Sequence, residues 1–154
     1  MYLSDLTNNE LATYLVVRPG EGSVEGALPP ILAYGGFWLM VDEAHIATIA
    51  SHPDWRGCGL GLWLMLALLD RAMARGATVS TLEVRAGNRS ARLLYEKLGY
   101  QVAGVRYRYY RDGEDGLILT TPPLDGPAMR ERMTMVRAAV VEKLMRRFVI
   151  ASST

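Results

Sequence analysis

The sequence predicts a mixed α/β or α+β domain in which helices and strands share one sheet in three layers. Three observations carry that prediction. From Leu60 to Ala74 apolar residues recur at helical spacing, with Asp70, Arg71 and Arg75 on the remaining face. On either side lie β-branched runs, His45 to Ala50 and Thr78 to Arg85, which read as buried strands. Further on, Asp112-Gly113 separates two strand-like runs in the manner of a hairpin. With 154 residues, half of them apolar, one core can form and bury roughly two thirds of the unfolded surface.

Taken in order, residues 4–12 read as a helix that Ser4 or Asp5 could cap, with weak periodicity from Leu3, Leu6, Leu11 and Ala12. Tyr14 to Val17 is a short strand ended by Pro19-Gly20, and residues 19–30 form a Gly- and Pro-punctuated loop. Ile31 to Val41 is a strand whose central Gly35-Gly36 suggests a bulge or a close backbone approach. The strand from His45 stops before Pro53, and the helix from Leu60 stops at Gly76. Asn88 is suited to cap a helix through Leu98, closed by Gly99. Val102 to Tyr110 then forms a long aromatic strand, with Gly116 to Thr121 returning beside it. After Pro122-Pro123, Met129 to Ile150 is a helix with an apolar face and a basic remainder. Residues 1–124 are thus expected as one domain and 125–154 as an amphipathic extension.

Seventeen basic residues nearly balance sixteen acidic ones, so net charge points to neither nucleic acid nor acidic lipid. The halves differ. Residues 1–55 hold one basic residue, Arg18, against seven acidic ones; residues 56–154 hold sixteen against nine. Opposed halves suit a site where an anionic cofactor meets one side and a cationic substrate the other, or they reflect chance segregation of surface charge. The lone Cys58 allows no intramolecular disulfide. There is no long apolar span or signal-like start, so a cytoplasmic setting is expected. His45 and His52 stand seven apart without metal-ligating partners, and no metal is expected.

The most informative stretch runs from Ile46 through Arg56-Gly57-Cys58-Gly59-Leu60-Gly61 into the long helix. A strand ending in a glycine-rich turn at a helix N-terminus can bind an anion, because the first turn leaves N–H groups unpaired and glycines let a phosphate approach. Arg56 can add a guanidinium. A dinucleotide fingerprint fails, since the third glycine falls one residue early at Gly61; a P-loop fails, since Leu62-Trp63 stand where Lys-Ser/Thr would. Arg/Gln-x-x-Gly-x-Gly/Ala fits, through Arg56, Gly59 and Gly61. Without a ligand, the same string is a glycine-rich turn.

Two more motifs follow in order: Leu82-Glu83-Val84-Arg85-Ala86-Gly87-Asn88 running on to Leu94-Tyr95 and Gly99-Tyr100, and Arg106-Tyr107-Arg108-Tyr109-Tyr110 with Glu114-Asp115. With these the sequence resembles the GCN5-related N-acetyltransferases, in particular those acting on ribosomal-protein alanine, from about Tyr2 to Leu124. The resemblance implies a mostly antiparallel sheet flanked by helices, with acetyl-coenzyme A as co-substrate. It places the cofactor at Arg56, Gly57, Cys58, Gly59, Leu60 and Gly61, with backbone groups of Ile49 and Ala50 and the side chain of Asn88 along the pantetheine arm. It also implies a protein N-terminus as acceptor, with a ribosomal protein as one source, met by Arg85, Arg106 and Tyr109.

Amine acetylation needs a deprotonated amine, a polarised carbonyl and a donor for the departing thiolate. Glu83, mid-strand among apolar neighbours, is the candidate base; its alternative is a cross-sheet ion pair with Arg85 or Arg106. Tyr95 is the candidate acid, its alternative simple packing with Ala91, Leu94 and Leu98. Asn88 already has a sufficient role as a helix cap.

Relatives of this kind begin with a strand and a helix ahead of the segment matching Tyr2, so the fold is expected to lack about 30 residues and to expose a strand edge. The C-terminal helix is expected to pack onto the surface so uncovered, in its own chain or in a homodimer; its alternative is a basic arm reaching RNA or membrane. Two other functions fit the same motifs: a non-catalytic acyl-coenzyme A-binding module, and a small-molecule amine acetyltransferase.

Overall fold

The computed structural model of the chain describes residues 2–5, 12–20, 30–57 and 59–147. Among them, seven strands and three α-helices follow in the order β1 (Tyr2–Asp5), β2 (Ala12–Arg18), β3 (Ala33–Met40), β4 (Glu43–Ser51), α1 (Leu60–Ala74), β5 (Val79–Arg85), α2 (Arg89–Lys97), β6 (Gln101–Arg106), β7 (Gly116–Thr120) and α3 (Pro127–Arg147). The strands form one sheet, ordered β1-β2-β3-β4-β5-β7-β6. Every adjacent pair is antiparallel except β4 and β5, which the α1 crossover joins in parallel.

Helix α1 forms where its periodicity predicts, and it is apolar nearly all round because it is covered twice. It packs on β2, β3 and β4 on one side and on α3 on the other. Leu64, Met65, Leu66, Leu68, Leu69 and Ala72 are fully buried, each leucine contributing about 1.5–3 kcal/mol of transfer free energy. Gly76, at φ +96°, ends it. The paired glycines of β3 do what their position suggests. A Cβ on Gly35 would lie 2.8 Å from Thr48 O, and one on Gly36 2.8 Å from Thr13 O and against the Tyr14 ring. The β3–β4 register also shifts between Gly36 and Phe37, the bulge the sequence suggests.

Three expectations change. The helix over 4–12 is not formed where it can be seen: Ser4 and Asp5 belong to β1 and Ala12 to β2, paired as antiparallel neighbours, while residues 6–11 lie outside the described ones. Periodicity there was too weak to outweigh cross-strand pairing. The strand from Val102 ends at Arg106 rather than Tyr110, since Arg108 adopts φ +50° and turns the chain. Helix α3 docks on α1 of its own chain, burying Met129, Met133, Val140 and Leu144, with Arg137 bonded to Asp70 at 3.0 Å. Its far end, from Phe148, lies outside the described residues.

Candidate active site

The site begins with a gap in the sheet. Strands β4 and β5 pair only from Glu43↔Val79 to His45↔Thr81. From Ile46 and Leu82 onward they part, so one edge of β4, including Ile49 and Ala50, has no ladder partner among the described residues. Such an edge presents N–H and C=O groups to whatever extended chain enters the gap.

At the end of β4, a 3₁₀ turn at Pro53–Trp55, capped by the His52 ring accepting from Asp54 N at 3.2 Å, leads to Arg56. Gly57 and Gly59 then sit at φ +78° and +98°, and Gly59 is the N-cap of α1. A Cβ on Gly57 would touch nothing, so backbone conformation and not space calls for glycine there. Gly59 has no side chain to cap the helix, which leaves the first-turn N–H groups for an anion. Arg56 makes no recorded ion pair among the described residues. Leu60 is buried and anchors the turn. Gly61 has another purpose: a Cβ there would come 3.0 Å from Leu94 Cδ1, so its bareness lets α2 lie against α1. Cys58 lies outside the described residues.

Glu83 and Tyr95 come from consecutive elements, β5 and α2. Along β5, Leu82 and Val84 are buried in the core, so alternation turns Glu83 and Arg85 to the other face. Tyr95 belongs to α2 and packs on the core side, its ring edge-on to Tyr100 at 5.7 Å. Burial raises the Tyr95 pKa above its ordinary 10.0, so its phenol keeps its proton at neutral pH. Tyr100 is pushed up as well, by burial foremost, and shares a 2.6 Å hydrogen bond with Ser80.

Of the two cross-sheet pairings open to Glu83, the one with Arg106 forms, while Arg85 bonds Asp112 and Glu114. Arg106 Nε lies 3.2 Å from Glu83 Oε1, and the Glu83 side chain is 22% exposed. Glu83 also raises the Tyr109 pKa, through hydrogen bonding foremost, and the Arg106 guanidinium lies 5.4 Å from the Tyr109 ring centre. Glu83, Arg106 and Tyr109 therefore form one cluster.

Arg85 is engaged elsewhere. It bonds Asp112 at 2.8 Å and Glu114 at 3.0 Å and stacks 4.0 Å over the Tyr110 ring. Its pKa is raised, chiefly by the Glu114 hydrogen bond. Glu114 Oε2 in turn accepts from Gly87 N at 2.8 Å, so the β6–β7 loop is clamped to the β5–α2 corner. Asp112 and Glu114 are thus working residues that sequence reasoning left without a role, although Glu114-Asp115 already stood out as a motif. Asn88 caps α2 as expected, Oδ1 accepting from Ala91 N at 3.2 Å. Its amide nitrogen has no recorded bond among the described residues and faces no demand from the cap.

A parted pair of parallel strands leading to a glycine turn on a helix N-terminus is an arrangement suited to an extended, anionic ligand. The chain belongs to the acetyltransferase (GNAT) family, whose model matches residues 3–100. It is an acetyltransferase of this class.

Its relatives are narrower in kind. It is 37% identical over 119 residues to a Bacillus subtilis protein named as a candidate ribosomal protein bS18-alanine N-acetyltransferase, covering 77% of this chain and 74% of that one. It is 42% identical over 87 residues to the ribosomal protein bS18-alanine N-acetyltransferase of Escherichia coli K12, covering 54% of this chain and 59% of that enzyme's length. The crystal structure of the Escherichia coli ribosomal-protein-S18-alanine N-acetyltransferase superposes with a TM-score of 0.60 at 35% identity, covering 76% of this chain and 72% of that one. Among the described residues, no helix is long and apolar enough to cross a membrane.

Proposed function

We propose that this protein transfers acetyl from acetyl-coenzyme A to the N-terminal amine of a protein, of the alanine type named for its bS18-alanine N-acetyltransferase relatives, in the cytoplasm. The observation that carries the reading is the β4–β5 gap, which opens beside a glycine turn on a helix N-terminus; Glu83 and Tyr95 are the base and acid assigned to it. The residues fit the cofactor: Arg56 and the turn's N–H groups suit the pyrophosphate, the unpaired β4 edge at Ile49 and Ala50 suits the amide-bearing arm, and the Asn88 amide can support it.

Acetyl-coenzyme A supplies an activated acyl thioester. Everything else is the work of this chain. Glu83 takes a proton from the incoming amine, directly or through water; an N-terminal amine has a pKa near 8, so its deprotonation at neutral pH costs about 1 kcal/mol. Backbone N–H groups near Ile49 and Ala50 hydrogen-bond the carbonyl oxygen as it gains charge. Tyr95 holds a proton at its hydroxyl for the leaving sulfur. With a thiol pKa of about 8.5, full transfer from a phenol raised above 10 is uphill, so Tyr95 would act as a hydrogen-bond donor that stabilises the sulfur as it leaves as thiolate and would keep its own proton. Arg106 and Tyr109, grouped on Glu83, stand where an acceptor must arrive and would orient its first residues; Arg85 would act through the loop it clamps.

One observation favours a second reading, a cofactor-binding module without turnover: Arg106 already occupies Glu83. Incubation with acetyl-coenzyme A and peptides beginning with Ala, Ser or Met, beside lysine and polyamines, followed by mass, separates the two. Acetylation of N-terminal amines is expected, with Glu83→Gln and Tyr95→Phe binding coenzyme A but losing most turnover. Binding without acetylation of any acceptor leaves the module. Full activity in both variants removes the catalytic assignment.

A further inference from the structure

Helix α3 lies beyond the segment that matches the family model, yet it reaches the cofactor turn. A Cβ placed on Gly59 would sit 3.7 Å from Lys143 Cδ and 3.8 Å from Leu144 Cδ2. From that contact a cleft of about 750 Å³ runs along α3, with Leu62 of α1 and Lys97 of α2 on its far wall. Its volume falls in the range of about 300–1,000 Å³ common for small-molecule sites. Val136 and Val140 give it an apolar lining, while Lys97, Arg132 and Lys143 bring three cations to it against one anion, Glu131.

These cations differ from others on the same helix. Arg137 bonds Asp70 and Arg146 bonds Glu142, whereas Lys97, Arg132 and Lys143 have no recorded ion pair among the described residues. Holding cations of one sign around an apolar recess without counter-charge is unfavourable unless an anion completes it. A basic arm meant for membrane would keep its apolar face free, but that face is buried on α1 through Met133, Val140 and Leu144.

We propose that α3 is a cofactor-binding element: the cleft takes the 3′-phosphoadenosine end of coenzyme A, with the base against Val136 and Val140 and the 3′-phosphate among Lys97, Arg132 and Lys143. The inference rests on the reading of the Arg56–Gly61 turn as the pyrophosphate site. Chemical connectivity supports it, since the adenosine is bonded directly to the pyrophosphate and the cleft opens directly beside the turn.

Calorimetric titration of the full chain with coenzyme A and with 3′-dephospho-coenzyme A tests the two levels separately. Coenzyme A is expected to bind about tenfold or more tightly than its dephosphorylated form, a ratio typical of one charge-assisted phosphate contact. Lys143→Gln and Arg132→Gln should each shrink that ratio severalfold, and Arg130→Gln, on the same helix outside the cleft, should leave it unchanged. Equal affinity for the two ligands would overturn the role of α3 while leaving the turn intact. Failure of both to bind would remove the turn and the inference with it. If Lys143→Gln and Arg132→Gln melt with the parent and keep its full ratio, the proposal is wrong.

Discussion

The two edges of β4 differ along one strand. On the β3 side the ladder runs from Glu43 to Ser51 and skips only Ala47, opposite the register shift between Gly36 and Phe37. On the β5 side pairing stops after His45. The closed edge holds the molecule together, since Phe37, Ala44 and Ile46 are buried there. The open edge surrenders hydrogen bonds that a sheet would ordinarily make, and it does so beside the glycine turn. Stability and chemistry have therefore been assigned to opposite sides of the same nine-residue strand.

That division can be broken by variants that should affect one property only. The largest effect is expected from Glu83→Gln, beside the open edge: turnover falls by about two to four powers of ten, while the melting midpoint stays within the small change of a part-exposed ion pair, at most about 1 kcal/mol. A midpoint that collapses with activity would mean that Glu83 is structural. On the closed edge, Phe37→Ala should cost about 3–5 kcal/mol in urea unfolding, with coenzyme A affinity kept in whatever fraction stays folded.

Smaller effects sharpen the contrast. Asn88→Ala removes the α2 cap and should cost about 1 kcal/mol, and if Asn88 also meets the ligand, coenzyme A affinity falls beyond what the lost stability explains. At the turn joining β3 to β4, Val41 holds φ +59° while 97% exposed. Val41→Gly should relieve that strain and stabilise by about 0.5–1 kcal/mol, read as a higher urea midpoint with unchanged turnover.

The smallest is pH-dependent. The backbone N–H of Glu114, then Arg85, holds the Asp112 pKa below its ordinary 3.8. An acid depressed in the folded state stabilises fully above its unfolded value and loses that contribution as pH falls through the folded one. The parent and Asp112→Asn should thus differ at neutral pH and converge below about pH 3.8, as urea midpoints at several pH values would show.

Much of the molecule was legible where a signal is local. Helix α1 runs from Leu60 to Ala74 as its periodicity predicts, Asn88 caps α2, and Gly35-Gly36 marks a bulge. The misreadings share a cause: they depend on distant partners. Ser4 and Asp5 join a strand because Val16 and Leu15 lie beside them. The sequence leaves Glu83 open between pairing with Arg85 and pairing with Arg106, because the choice depends on where the distant β6 falls in the sheet. The loop after β6 leaves the sheet at Arg108, whose backbone N–H is held by Asp115 Oδ1 at 2.9 Å, a contact that aromatic content alone does not reveal. In the α3 face, spacing showed which residues would be buried but not that α1 would cover them.

The missing side chain at Gly61 has a mechanical consequence. Leu94 rests where that side chain would be, and Leu94 is the immediate neighbour of Tyr95 on the same short helix. The first turn of α1 and the phenol are therefore geared to each other through one methyl group. A Cβ added by Gly61→Ala would press on Leu94 and, through it, on the helix that carries Tyr95.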